Sequence, residues 1–210
     1  MENTGTAIPC GVSRKIPTWW VTSSRICSSV GDGLDKKSKY IAALREIDVR
    51  LQKGGDPVAD LGNAAAVLKK RLGYSWVGFY LLRDDRLVLG PFQGNPACVF
   101  LEKGKGVCWA SVRKGQSLIV PDVRDFEGHI ACDPKSRSEI VVPLYDTRGV
   151  LRGVLDMDHD AEDAFDETDR ICLESVSERL RTVWRENRLQ PAADSRQGAD
   201  TGSEAGKGHR

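Results

Sequence analysis

The run Trp76-Val77-Gly78-Phe79-Tyr80-Leu81-Leu82 is aromatic, apolar and β-prone, and it predicts a strand; Asp84-Asp85 turns the chain, and Arg86 to Leu89 returns as the second strand of a hairpin. The two-residue period of a strand puts Trp76, Gly78 and Tyr80 on one face and Val77, Phe79 and Leu81 on the other. On spacing alone Trp76 and Tyr80 form one side of a packed core. The sharper reading makes them the wall of a pocket, because an aromatic face and a hydroxyl suit a small amphipathic ligand.

Helical patterns flank this hairpin. From about Asp35, Tyr40, Leu44, Ile47 and Leu51 recur at steps of four, three and four, and Gly54-Gly55 end the stretch. Asp56-Pro57 caps and starts a second helix with the stripe Val58, Leu61, Ala65, Leu68 and Leu72, stopped by Gly73, so two antiparallel helices are expected. Beyond the hairpin, Gly106 to Lys114 reads as a short helix and Ser117 to Val120 as a strand that Pro121 ends. Ser138 to Tyr145 and Val150 to Met157 read as strands joined around Thr147-Arg148-Gly149, with Pro143 marking an edge or a bulge. Asp166 caps a last helix whose stripe is Leu173, Val176, Leu180 and Val183, and on which Cys172 is a small buried hydrophobe. Helix, helix, strands, loops, strands, helix is an α+β order.

The 210 residues suit one domain over about 35–189, with an extension at 1–34 and a tail at 190–210 that lack core-forming periodicity. The extension is basic, Ser-containing and poor in acids; it reads as disordered, with organelle targeting as the alternative, and its Trp19-Trp20 pair as a docking element. No apolar run approaches the roughly 20 residues that cross a bilayer. Thirty-one basic against thirty acidic residues leave a net charge of +1, which argues against a nucleic-acid partner.

Six cysteines without a secretory leader point to a reducing compartment, with the cytoplasm as the expected location. Cys10 and Cys27 read as spare thiols. Cys98, Cys108 and Cys132 instead fall beside glycine, proline or polar residues in stretches read as loops, Gly90 to Gly94, Gly104 to Gly106 and Gly128. The three could be incidental. Zinc would take four close ligands; His129 could complete a set with the three cysteines, but their spacing lacks the short pairs of structural zinc sites, so no metal is expected. A Cys-His protease lacks a third member to orient His129. Thiol redox chemistry asks only for a thiolate, a second thiol that can reach it, and mobile backbone between them.

Several separated motifs resemble the free methionine-(R)-sulfoxide reductase family, a catalytic branch of the GAF domains. They are Trp76 to Tyr80, Leu89-Gly90-Pro91-Phe92-Gln93-Gly94, Ala97-Cys98, Gly104-Lys105-Gly106-Val107-Cys108, Val120-Pro121-Asp122-Val123, Gly128-His129-Ile130-Ala131-Cys132-Asp133, Ser138 to Pro143 and Gly153 to Asp158. The match runs in order over about residues 36–187. It implies a GAF-like antiparallel sheet with helices packed on its faces, usually dimeric, and a closed pocket for free methionine sulfoxide. By the same resemblance Cys132 is the nucleophile, Cys98 the resolving thiol and Cys108 an auxiliary redox thiol. Glu139, Asp156 and Asp158 match the family's pocket acids, and Trp76 and Tyr80 its aromatic wall. No bound cofactor is implied; thioredoxin or a similar dithiol would be the reductant. Trp109 departs from the family, which generally has glycine after the second cysteine.

Clustered carboxylates raise one another's pKa, which retains a proton for the sulfoxide oxygen, while an ionised one can bind the substrate's ammonium. Asp133, next to Cys132, pushes a thiol pKa upward, an effect that His129 or bound substrate would have to offset. The rival reading is a GAF module that senses a small ligand, or binds a regulatory partner, without turning anything over.

Overall fold

The computed structural model describes residues 30–51, 55–129 and 132–184. The expectations for most of the leader, for Cys10, Cys27, Trp19 and Trp20, and for the tail beyond Trp184 lie outside the described residues. The elements in chain order are α1 (Val30–Arg50), α2 (Pro57–Leu72), β1 (Trp76–Arg83), β2 (Arg86–Gln93), β3 (Phe100–Leu101), α3 (Gly106–Lys114), β4 (Leu118–Val120), β5 (Ser138–Tyr145), β6 (Leu151–His159) and α4 (Glu167–Leu180). Short 3-10 turns follow β4 and α4. The six strands form one antiparallel sheet in the order β3-β2-β1-β6-β5-β4, which with the four helices is an α+β arrangement. No helix among the described residues is long and apolar enough to cross a membrane.

Local chemistry sets most of these boundaries. The Asp56 carboxylate accepts from the backbone N–H groups of Val58 and Ala59 at 2.8 and 3.1 Å, and Gly73 ends α2 at φ +80°, a conformation that glycine adopts without strain. Asp166 and Asp169 close a reciprocal capping box at the start of α4. Asp84 and Asp85 take positive φ (46° and 61°) in the tight β1–β2 turn, as a two-residue hairpin requires.

Three expectations need correction. Val58 is exposed, and Ala64 joins Leu61, Ala65 and Leu68 on the buried face of α2 in its place. Gly90 to Gln93 is not loop but the end of β2, paired with Val77 and Gly78. β3 reaches only Leu87 and Val88, so this part of β2 is a sheet edge where Pro91 costs no ladder bond. Cys108, counted among the loop cysteines, lies buried on α3, the short helix that the same sequence reading placed over Gly106 to Lys114. Pro143 belongs to an interior strand, but β4 pairs only with Glu139 to Val141, so β5 runs as a local edge there, with a register shift just beyond at Leu144/Tyr145.

The sheet separates two apolar clusters. Val77, Phe79 and Leu81 join Tyr40, Ile47, Leu61, Leu68, Leu155, Leu173 and Leu180 beneath α1, α2 and α4, where Cys172 is also buried. Trp76 and Tyr80 face the other way, toward α3, with Val107, Cys108, Trp109, Val141 and Val154. Beside the larger cluster lies a buried polar knot. Asp169 Oδ1 accepts from the Tyr40 and Tyr74 hydroxyls at 2.7 and 2.6 Å, and Oδ2 accepts from Lys36 Nζ at 2.7 Å and the Asp166 N–H at 2.8 Å.

Candidate active site

Strand register assembles the site. Trp76 lies opposite Asp158, which lies opposite Glu139; one step along, Gly78 lies opposite Asp156, which lies opposite Val141. Side chains two apart on a strand share a face, so one aromatic and three acidic residues from three strands meet on the α3 side of the sheet. Gly78 makes this arrangement fit: a Cβ there would lie 2.3 Å from the Trp76 ring and 2.5 Å from Phe92 Cβ. The Trp76 ring stacks between Phe92 (centroids 5.5 Å apart) and Tyr80 (6.1 Å).

These side chains line a half-open pocket. Trp76 and Tyr80 form one wall, Glu139, Asp156 and Cys108 sit buried in it, and Asp158, His129, Cys132, Asp133 and Ser136 are among the other residues that line it. Cys98 does not line it but is joined to Cys132 by a disulfide with Cα atoms 5.5 Å apart. All eight site residues expected from sequence therefore stand in or directly behind one cavity. Trp76 and Tyr80 both line the pocket and pack in the smaller apolar cluster.

The electrostatics follow from burial. The Cys108 thiol lies 3.9 Å from Glu139 Oε1. Burial, then the neighbouring Asp156 and Glu139, push its pKa well above the ordinary thiol value, so it stays protonated. Burial and the charges of Asp156 and Asp158 raise Glu139 strongly, and burial followed by Asp156 raises Asp158. Burial pushes Asp156 up to about 6, against the opposing pull of hydrogen bonds with Cys108 and Glu139. Asp156 Oδ1 is buried and has no hydrogen-bond partner among the described residues.

His129 is lowered by burial, so the imidazolium that could offset Asp133 is disfavoured. Asp133 is instead engaged elsewhere: its Oδ1 accepts from the Lys135 N–H and its Oδ2 from Asn95 Nδ2, both at 2.9 Å, and these bonds lower its pKa. Trp109 is buried, and its Nε1 donates to the Leu101 carbonyl at 3.3 Å, which fixes α3 against the β3 segment.

Cys108, Glu139 and Asp156 bring a sulfur and two carboxyl oxygens within 4.8 Å of one another, a spacing that a metal could bridge. They supply three donors, one short of a closed structural zinc site, and the set of Cys98, Cys108, His129 and Cys132 has two sulfurs tied up in the disulfide. Sequence reasoning missed Asn95 and Ser136. Both sit in Pro-flanked turn sequences, which read as punctuation, yet Asn95 bonds Asp133 and Ser136 hydrogen-bonds the pocket acid Asp158.

The raised Asp156 makes stability depend on pH. Between its ordinary value of about 4 and the folded value of about 6, the folded protein holds a proton that the unfolded chain has lost, so stability falls as pH rises through that window. The Asp156→Asn variant lacks this penalty. Its urea-unfolding free energy is expected to exceed that of the parent by about 3 kcal/mol at pH 8 and to match it at pH 4.

Comparison with known proteins gives the chain its relatives. The chain matches the GAF domain family over residues 61–183. It is 44% identical over 142 residues to GAF domain-containing protein A of Dictyostelium discoideum, covering 67% of this chain and 89% of that protein. It is 40% identical over 151 residues to the free methionine-R-sulfoxide reductase of Escherichia coli, covering 71% of this chain and 91% of that enzyme. Among solved structures, the free methionine-R-sulfoxide reductase of Neisseria meningitidis in complex with its substrate superposes with a TM-score of 0.68 at 41% identity, covering 77% of this chain and 94% of that one.

Proposed function

Since the chain belongs to the free methionine-R-sulfoxide reductase family of GAF domains, we propose that it is a thiol-dependent oxidoreductase that converts free L-methionine-(R)-S-oxide to L-methionine. The observation that carries this reading is the Cys98–Cys132 disulfide at the edge of a pocket floored by buried carboxyls. Such a bond is the product expected after one turnover.

In the proposed sequence the Cys132 thiolate attacks the sulfoxide sulfur while a protonated carboxyl, best supplied by Glu139, gives its proton to the oxygen, which would otherwise leave as a poor anion. The oxygen ends on Cys132 as a sulfenic acid, the cysteine sulfur loses two electrons and the methionine sulfur gains them. Cys98 then displaces the sulfenic oxygen as water and the disulfide forms. An external dithiol such as thioredoxin exchanges with that bond and restores both thiols. Asp156, with a free buried oxygen and a pKa of about 6, is the carboxylate suited to the substrate's ammonium, and the stacked faces of Trp76 and Tyr80 suit its apolar chain. Cys108, held protonated, suits hydrogen bonding at the pocket floor better than attack. A homodimer is the expected assembly.

The test supplies L-methionine-(R)-S-oxide, its S epimer and an R-sulfoxide peptide separately, with dithiothreitol as reductant. Turnover confined to the free R epimer is expected. Equal turnover of all three, or none, overturns the reading.

A further inference from the structure

The two segments that carry the disulfide are fastened by more than the S–S bond. Asn95 lies three residues before Cys98 and Asp133 directly after Cys132, and Asn95 Nδ2 donates to Asp133 Oδ2 at 2.9 Å. Each side of this tie has its own anchor. The Asn95 carbonyl accepts from Trp76 Nε1 at 3.1 Å and the Cys98 carbonyl from the Tyr80 hydroxyl at 3.1 Å, which pins the segment to β1 near both ends. Asp133 is held in its own turn by the Lys135 N–H at 2.9 Å. None of these bonds involves sulfur, so breaking the S–S bond removes none of their donors or acceptors.

From this we infer that Asn95 and Asp133 are positioning residues for disulfide formation: their hydrogen bond keeps the Cys98 thiol beside Cys132 during the part of the cycle when no covalent bond joins the two segments. The inference rests on the reductase reading above. In the step concerned, Cys98 sulfur bonds to the sulfenic sulfur of Cys132, the S–O bond breaks, and the oxygen leaves as water with the proton from Cys98; no outside electrons are needed. The cysteines are 34 residues apart in sequence, so the rate of this step depends on how often the segments meet. One exposed hydrogen bond is modest in strength, and losing it is expected to slow the step by about 3- to 10-fold.

The same geometry gives Asp133 a role separate from its charge, and three variants of the full chain distinguish the two. Asn95→Ala and Asp133→Ala remove the tie; Asp133→Asn removes the charge, keeps an oxygen for the Lys135 N–H, and turns an NH2 toward Asn95, whose amide flips so that its oxygen accepts and the tie persists. Each is reduced, mixed with L-methionine-(R)-S-oxide and quenched at intervals. First-turnover methionine, disulfide, and dimedone-captured sulfenic acid on Cys132 are then measured. Asn95→Ala is expected to release its first methionine at the parental rate, to form the disulfide about 3- to 10-fold more slowly, and to accumulate the dimedone adduct. Asp133→Ala is expected to show the same slow resolution, and Asp133→Asn the parental one, whatever shift in first-turnover rate the two share. Parental resolution in Asn95→Ala, or equal slowing in Asp133→Ala and Asp133→Asn, overturns the positioning role. If the parent releases no methionine at all, the reductase reading fails and takes this one with it.

Discussion

Cys132→Ser is expected to hold methionine release at the level of protein-free buffer, whereas Cys98→Ser releases about one methionine per chain and then stops. The difference lies in the order of events: oxygen transfer needs only the attacking sulfur, and the second sulfur is called on afterwards. A serine hydroxyl at 132 cannot substitute, because it is not ionised near neutral pH and cannot accept oxygen by changing oxidation state. Mass spectrometry of the stalled Cys98→Ser protein should find the sulfenic acid on Cys132. Cys108 is the competitor for the attacking role. It faces Glu139 and Asp156 in a buried site that favours its thiol form, and that environment disfavours a nucleophile. Sustained multiple turnover by Cys132→Ser would exchange the two assignments.

Asp169→Ala should be among the most damaging substitutions for the fold. The carboxylate is fully buried and takes four hydrogen bonds, from the Tyr40 and Tyr74 hydroxyls, Lys36 and the Asp166 backbone. Those donors come from α1, the segment before β1, and the start of α4, so one side chain binds three parts of the chain that are distant in sequence. Removing it leaves the two hydroxyls of an apolar cluster with just each other as partners among the described residues, where burial raises the pKa of both tyrosines and keeps their protons in place, and it takes from Lys36 one of its two carboxylate bonds. The expected cost is about 4 kcal/mol. In a protein of this size that is a fall in melting temperature of roughly 8–16 °C. Asp169→Asn keeps one acceptor oxygen and should lose about half as much. A loss below about 1 kcal/mol for the alanine variant would mean that water satisfies the hydroxyls and that the knot is not dry.

Helix ends and the β1–β2 hairpin were legible in the sequence because their signals are local. Asp56, Gly73 and Asp166 act through backbone groups a few residues away, and the alternation of Trp76 to Leu81 gave the two faces of β1 correctly. α1 begins at Val30, ahead of Asp35, since its first turns carry no apolar periodicity to announce them. The end of β2 was hidden because glycine and proline there mimic a loop, while its exemption as a sheet edge depends on how short β3 is. Placement of β1 beside β6 had no local signature at all, and that placement sets Trp76 against Asp158. The site residues were therefore recognisable by resemblance as a set, but the cross-strand rows that bring them together emerge only from the register. The Asn95–Asp133 bond belongs to the same class, a contact between two turns 38 positions apart.

The division of β1 into two opposed rows has an evolutionary corollary. Positions 76 and 80 line the pocket and belong to the smaller apolar cluster, and 78 stays bare to admit the Trp76 ring, while 77, 79 and 81 pack in the larger cluster, so a change of pocket shape needs the smaller cluster to repack but leaves the larger one untouched. Lineages built on this scaffold can drift in what they recognise faster than in the shape that does the recognising.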